Sequence, residues 1–180
     1  IYLAIGSITG STPVITKNLI FGNTASSRGA GIYITGRSSR ITNNTIVKNN
    51  LVNHGTNNKG AAIYLTGGSN FAYTYLRNNI IRDNATESTD KEIYADYSGL
   101  YCKQYFFYNC LPVNSDDIAT ANSNSEIEYH DGNISGDPSF ADFLNDDFNL
   151  QMSSPCIDAG DPDTDQDAES YLVDADDCDA

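Results

Sequence analysis

The chain contains no tryptophan, a single methionine and only two histidines among its 180 residues. Two histidines leave little room for a His-rich catalytic or metal centre. Its four cysteines, Cys102, Cys110, Cys156 and Cys178, lack the paired CxxC spacing of a structural zinc site. An even count suits disulfides outside the cytosol; Cys102 with Cys110 and Cys156 with Cys178 is the simplest of three pairings, and sequence does not select among them. Hydrophobic runs long enough to span a bilayer are missing. Charge is absent by sign in two regions: residues 1–60 have no Asp or Glu, and residues 116–180 have no Lys or Arg. With a net charge of −14, partners such as nucleic acid or an anionic membrane are disfavoured, because phosphate binding needs clustered Lys and Arg.

What is present is repetition. Ile1-Tyr2-Leu3, Ile32-Tyr33-Ile34, Ile63-Tyr64-Leu65 and Ile93-Tyr94-Ala95 recur at intervals of 31, 31 and 30 residues. Between them runs a second phrase centred on Asn18, Asn44 and Asn79, with Asn109 in a degenerate fourth copy at 101–111. Repeats of this length, rich in β-branched residues, Asn and Gly, predict a solenoid whose turns stack on one another. Alternation in each Ile-Tyr-Leu phrase sets the aliphatics on one face and Tyr on the other, the period of a strand with one buried face. The second phrase switches sides across its Asn, so that Ile20, Ile46 and Ile81 point inward again; Asn tolerates the left-handed backbone of a sharp corner. Stacked at one height per turn, these amides are expected to form ladders, as is a second set at Asn23, Asn49 and Asn84. The polar stretch 112–135 reads as a loop or irregular turn, and Asn53–Lys59 as a bulge at one corner.

These phrases resemble the right-handed parallel β-helix repeats of secreted and surface proteins. Gly-Ala-Gly-Ile-Tyr-Ile (29–34) and Ile-Phe-Gly-Asn (20–23) are similar to those of autotransporter-like polymorphic outer-membrane proteins. Residues 136–162, from Gly-Asp-Pro-Ser-Phe through Ser-Pro-Cys-Ile-Asp-Ala-Gly-Asp-Pro, resemble the closing coil of bacterial and archaeal surface β-helices. The resemblance implies an all-β, right-handed, single-stranded parallel β-helix over 1–135. Because Ile1-Tyr2-Leu3 lacks the Gly-Ala-Gly or Gly-Ala-Ala lead-in of later copies, the chain is expected to be cut at its N-terminus inside a repeat of a longer protein. It implies a capping coil over 136–160, with Phe140, Phe148, Leu150 and Ile157 covering the open end. It also implies a secreted or cell-surface location.

The tail 161–180 is similar to the acidic metal-binding repeats that follow such coils. Taken as a calcium loop, Asp163, Asp165 and Asp167 fill positions one, three and five, Glu169 the seventh and Asp174 the twelfth. Ca2+ is the expected cofactor, with a structural role. The Tyr2, Tyr33, Tyr64 and Tyr94 column is the candidate ligand-binding strip for sugar rings, against the alternative that the rings only buttress their sheet. Asp116, Asp117, Glu126, His130 and Asp131 form one acid-and-His group on a loop, where sequence neighbourhood does not establish the carboxylate spacing that a glycosidase needs. The expectation is a non-catalytic module that binds a polysaccharide or a surface protein; the alternative is a fragment of a polysaccharide lyase, epimerase or hydrolase.

Overall fold

A computed structural model describes residues 1–4, 12–36, 38–52, 59–67, 72–84, 91–97, 102–112 and 117–161. The chain is all-β, and its strands stack in parallel sheets, one strand per repeat, an arrangement compatible with a parallel β-helix or solenoid. Sheet I joins Tyr2–Ala4, Ile32–Thr35, Ile63–Gly67, Ile93–Tyr97 and Ile118–Thr120. Sheet II joins Val14–Thr16, Ser39–Thr42, Ala72–Arg77, Cys102–Phe107 and Ser125–Tyr129. Sheet III joins Leu19–Phe21, Thr45–Val47 and Ile80–Arg82, and is continued by bridges from Ile80 to Cys110 and from Cys110 to Ile134.

Register follows the sequence repeat. Ile32, Ile63, Ile93 and Ile118 lie side by side in sheet I, and Ile15, Ile41, Leu76 and Phe106 in sheet II. These residues, with Ile20, Ile46 and Ile81 from sheet III, make one buried core. A one-residue slip would turn each aliphatic row to solvent, so the period-2 pattern fixes the pairing.

The stretch 112–135, read as a loop, instead supplies two further strands, paired in register with Ile93–Tyr97 and Cys102–Phe107. Its alternation survives its polar composition: Ser125 and Ile127 take the positions facing the core, while Glu126 and Glu128 take the outer ones. Small or polar inward residues hide a strand from a hydrophobicity reading.

The expected ladders are present. Asn18, Asn44, Asn79 and Asn109 each donate, from backbone N and from Nδ2, to the Oδ1 of the next Asn, ending at Asn133 with bonds of 2.9–3.1 Å. The second ladder runs Asn23, Asn49, Asn84 and closes on Glu92, which accepts from Asn84 N at 2.8 Å and Nδ2 at 2.7 Å. The left-handed residue is not the ladder Asn, as expected, but the one before it: Lys17, Asn43, Asn78 and Tyr108, with φ of 51–57°, and Gly22, Lys48 and Asp83, with φ of 53–65°. The corner must twist ahead of the Asn so that its amide turns inward. Nδ2 then reaches the carbonyl two residues back, as from Asn44 to Thr42 at 2.9 Å. Left-handed backbone costs roughly 1–2 kcal/mol at a residue other than Gly, and the amide bonds offset it.

Residues 136–161 follow the flank of the repeats, forming a strap over sheet III. Phe140–Asp142 and Asp147–Leu150 pair antiparallel around a single 3₁₀ turn at Phe143–Asn145. Arg82 Nη1 donates to Gly136 O at 2.9 Å, Lys48 pairs with Asp146, and Phe148 meets Phe21 edge-on at 5.3 Å. The strap thus runs from the last repeat back to the first. It returns to fasten Asp161, whose N–H donates to Asn78 Oδ1 at 2.8 Å and whose carboxylate lies 3.0 Å from Arg77. Of the four residues expected to close the end, Phe140 is buried on this flank, Phe148 and Leu150 are half-buried, and Ile157 is exposed. Phe140, Phe143 and Phe148 pack on one another and on the Lys48 ammonium, which draws them to the side of the stack rather than its end.

Replacing Asn79 with Ala is expected to cost about 2–4 kcal/mol, because it removes the acceptor of the buried Asn44 backbone N–H and the Nδ2 donor to Asn109 Oδ1 and Ile41 O. Asn18→Ala, at the exposed end of the same ladder, should cost less than about 1 kcal/mol. Urea midpoints of the two variants at unchanged m-value test this; equal losses would sever the link between burial and the ladder's contribution.

Candidate functional site

The outer face of sheet II carries a dense set of aromatic and charged side chains. Strand alternation turns Ala72, Thr74 and Leu76 inward, and so Tyr73, Tyr75 and Arg77 outward. It does the same for Lys103, Tyr105 and Phe107. In-register pairing then lines up Tyr73, Lys103 and Glu126 in one row, and Arg40, Tyr75, Tyr105 and Glu128 in the next. Neighbouring strands are separated by about 4.8 Å, close to the best stacking distance of two rings. Tyr75 and Tyr105 accordingly stack with centroids 5.0 Å apart and planes 13° off parallel. Tyr73 lies 6.3 Å from Tyr105, and His130 stacks on Phe107 at 4.2 Å. The Arg77 guanidinium covers Phe107 at 5.0 Å. Tyr73 is 37% exposed and Tyr75 38%, so both side chains reach solvent.

Charges fringe this platform. Lys103 Nζ donates to Glu128 Oε2 at 2.8 Å and lies 3.5 Å from Glu126 Oε2; His130 Nε2 is 3.1 Å from Glu128 Oε1. The hydrogen bond from Lys103 holds the Glu128 carboxyl below the usual glutamate range, and the same bond raises the Lys103 ammonium. The contact favours the ionised form of both groups. A general acid or base works best with its pKa near the operating pH, and both groups are moved the other way.

The Tyr2, Tyr33, Tyr64 and Tyr94 column does form, with successive centroids 5.3, 5.1 and 6.2 Å apart. Its exposure is uneven: Tyr2 is 70% exposed, Tyr64 1% and Tyr94 9%. Arg28 lies over the Tyr64 ring and Lys59 over that of Tyr94, and Tyr64 Oη donates to Asp96 Oδ2 at 2.7 Å. Burial, then the Asp96 contact, drives the Tyr64 phenol well above its ordinary value and keeps it neutral. Half of the column is thus covered by its own chain.

Of the acid-and-His group, Glu126 and His130 join the platform. Asp117 and Asp131 use their backbone carbonyls to close corners, accepting from Glu92 N and Tyr108 N, and Asp116 lies outside the described residues, as does His54. So do Asp163, Asp165, Asp167, Glu169 and Asp174. Among the described residues, no group of three or more His, Cys, Asp or Glu is placed to hold a metal ion. A groove of about 530 Å³ between the strap and sheet III is lined by Arg82, Asp83, Asp137 and Phe143 among others.

Tyr73, Tyr75, Tyr105 and Phe107 were not singled out from sequence. A signal for them exists, since Tyr75 and Tyr105 are separated by 30 residues, the interval of the main repeat. In comparisons with known proteins, the chain matches no family model, no curated protein and no solved structure.

The Glu128 shift has a direct check. Its contact with Lys103 contributes above the ordinary glutamate pKa and is lost as pH falls through the lowered value. Lys103→Met should return the Glu128 carboxyl toward the ordinary range in an NMR carboxyl titration. An unmoved Glu128 would remove Lys103 as the cause.

Proposed function

We propose that this chain is a right-handed parallel β-helix module of a secreted or cell-surface protein, and that it binds carbohydrate without cleaving it. The observation that carries this reading is the open stack of Tyr75 on Tyr105, with Tyr73 beside it and charged side chains at its rim. Sugar rings present an apolar C–H face and polar edges. Aromatic plates take the first, and fixed Lys, Glu and Arg groups take the second. A run of plates along the repeat axis suits a chain of sugars better than a single one. The net charge of −14 favours neutral glycans over acidic ones. Because sheet I is covered at Tyr64 and Tyr94, the platform on sheet II replaces the Tyr2 column as the preferred binding strip.

A second reading, polysaccharide cleavage, draws on Glu126, Glu128, His130 and Lys103 standing at one edge of the platform. The pairing of Lys103 with Glu128 argues against it, since it moves the Glu128 pKa down and the Lys103 pKa up, away from neutrality.

Calorimetric titration with neutral and acidic polysaccharides, each mixture assayed for reducing-end and unsaturated products, separates the two. We expect binding to a neutral glycan and no products. Tyr75→Ala and Tyr105→Ala should each weaken it by about 1 kcal/mol, roughly five-fold, with Tyr2→Ala unchanged. Turnover, or a loss confined to Tyr2→Ala, would overturn the proposal.

The acidic tail is proposed to hold one Ca2+ through Asp163, Asp165, Asp167, Glu169 and Asp174, stiffening the C-terminus. Asp165→Asn combined with Asp167→Asn should weaken calcium binding at least tenfold by titration while leaving the circular dichroism of the repeats unchanged. Undiminished affinity would place the ion elsewhere.

A further inference from the structure

We propose that Cys110 and Cys156 are a redox-active pair whose disulfide fastens the strap to the repeat stack. Both thiols line one small cavity of about 110 Å³ together with Asn78, Tyr108 and Gly160, and the nearby Cys156 thiol adds to burial in raising the Cys110 pKa. Cys110 belongs to the row that continues sheet III, held between Ile80 and Ile134, and its Sγ also reaches Gly136 O at 3.5 Å. Cys156 belongs to the returning arm of the strap. Ser154 Oγ donates to Pro138 O and accepts from Cys156 N at 3.1 Å, and Asp161 N donates to Asn78 Oδ1 at 2.8 Å. Both backbones are therefore fixed on either side of the thiols before any bond forms.

The geometry also rejects the pairing that sequence made simplest. Cys102 opens the strand Cys102–Phe107 and turns into the core, 0% exposed. That strand alone spans roughly 16 Å at 3.3 Å per residue, and Cys110 lies beyond its far end. A disulfide needs Cα atoms within about 7 Å. Cys178 lies outside the described residues.

The oxidant is a low-molecular-weight disulfide. The half-buried Cys156 meets it first, because burial, then the neighbouring thiol, push Cys110 up to about 12 and leave it protonated. The Cys156 thiolate attacks one sulfur of the small disulfide, whose S–S bond breaks and releases one thiol. Cys110 Sγ then attacks the Cys156 sulfur of the mixed disulfide, its proton passing to the departing thiolate. The protein loses two electrons and two hydrogens, and the small disulfide ends as two thiols. The new bond encloses residues 111–155, which include the last repeat and the whole hairpin of the strap. Oxidation should hold that hairpin against sheet III, and reduction should let it lift.

The test uses the full chain treated with oxidised glutathione. We expect a mass decrease of about 2 Da per bond formed, a Cys110–Cys156 linked peptide on non-reducing mapping, and hydrogen exchange over residues 138–157 slowed at least tenfold relative to the reduced protein. C156S should abolish that slowing, C178S should retain it, and a phosphine reductant should reverse it in the unmutated chain. A Cys156–Cys178 or Cys102-containing bridge in the folded protein would overturn the proposal. Equal exchange in the oxidised and reduced chains would do so as well.

Discussion

A buried asparagine side chain has two donor hydrogens and an acceptor oxygen to satisfy, and in this protein they are satisfied chiefly by stacking repeats at one height. Asn44 illustrates the constraint. Its Nδ2 reaches Thr42 O within its own repeat, Ile15 O in the preceding one and Asn79 Oδ1 in the next, while its Oδ1 accepts from Asn18. Displacing one repeat by a residue would leave several of these groups buried and unpaired, each costing about 1–3 kcal/mol. The aliphatic rows tolerate small displacements more readily, because burial is non-directional. Hydrophobic alternation therefore chooses the faces, and the amides choose the height. The ladder ends differ in kind: Asn133 is half-buried at one, and Glu92 terminates the other by accepting both donors of Asn84.

Once the interior is fixed, the three outer faces acquire different coverings. Sheet I lays Arg28 and Lys59 over its own tyrosines, and sheet III lies beneath the strap. Sheet II keeps its tyrosines open and ties its charges into pairs at one edge. This division follows from local residue choice. A cation one repeat away from a Tyr covers it on sheet I. On sheet II the cation beside Tyr105 is Lys103, which lies 5.9 Å from that ring and is also engaged by Glu128, while Tyr73 and Tyr75 stay more than a third exposed.

Much of the fold was legible because its signals are periodic. The Ile-Tyr-Leu interval predicted sheet I in register, and Asn18, Asn44, Asn79 and Asn109 predicted a ladder that the structure contains. Two features escaped for identifiable reasons. The strand Ser125–Tyr129 carries two glutamates and a serine, so its composition masks the phase that its in-register pairing with Cys102–Phe107 reveals. The strap takes its position from contacts more than fifty residues apart in sequence, such as Arg82 to Gly136 and Lys48 to Asp146, which no local pattern encodes. The platform was hidden for a third reason: the outward phase of Tyr73, Tyr75 and Tyr105 is evident only once their strands are placed in sheet II.

The uneven charge of the sequence acquires a physical meaning through the strap. Lys48, in the region without acids, pairs with Asp146 in the region without bases, and Arg77, from the middle of the chain, meets Asp161 of that same acidic region. Partly exposed ion pairs contribute little, commonly under about 1 kcal/mol each. Holding the strap falls mainly to the phenylalanines, where Phe140, Phe143 and Phe148 remove apolar surface from water against Lys48 and Phe21. What the charges add is direction. A hairpin bearing three phenylalanines could settle on any apolar patch, but an acidic hairpin settles beside the cations of sheet III and not among Glu126 and Glu128 of sheet II. The separation of sign along the chain thereby draws the strap's hairpin to sheet III, and the strap meets the platform at its margin, where Asp161 pairs with Arg77.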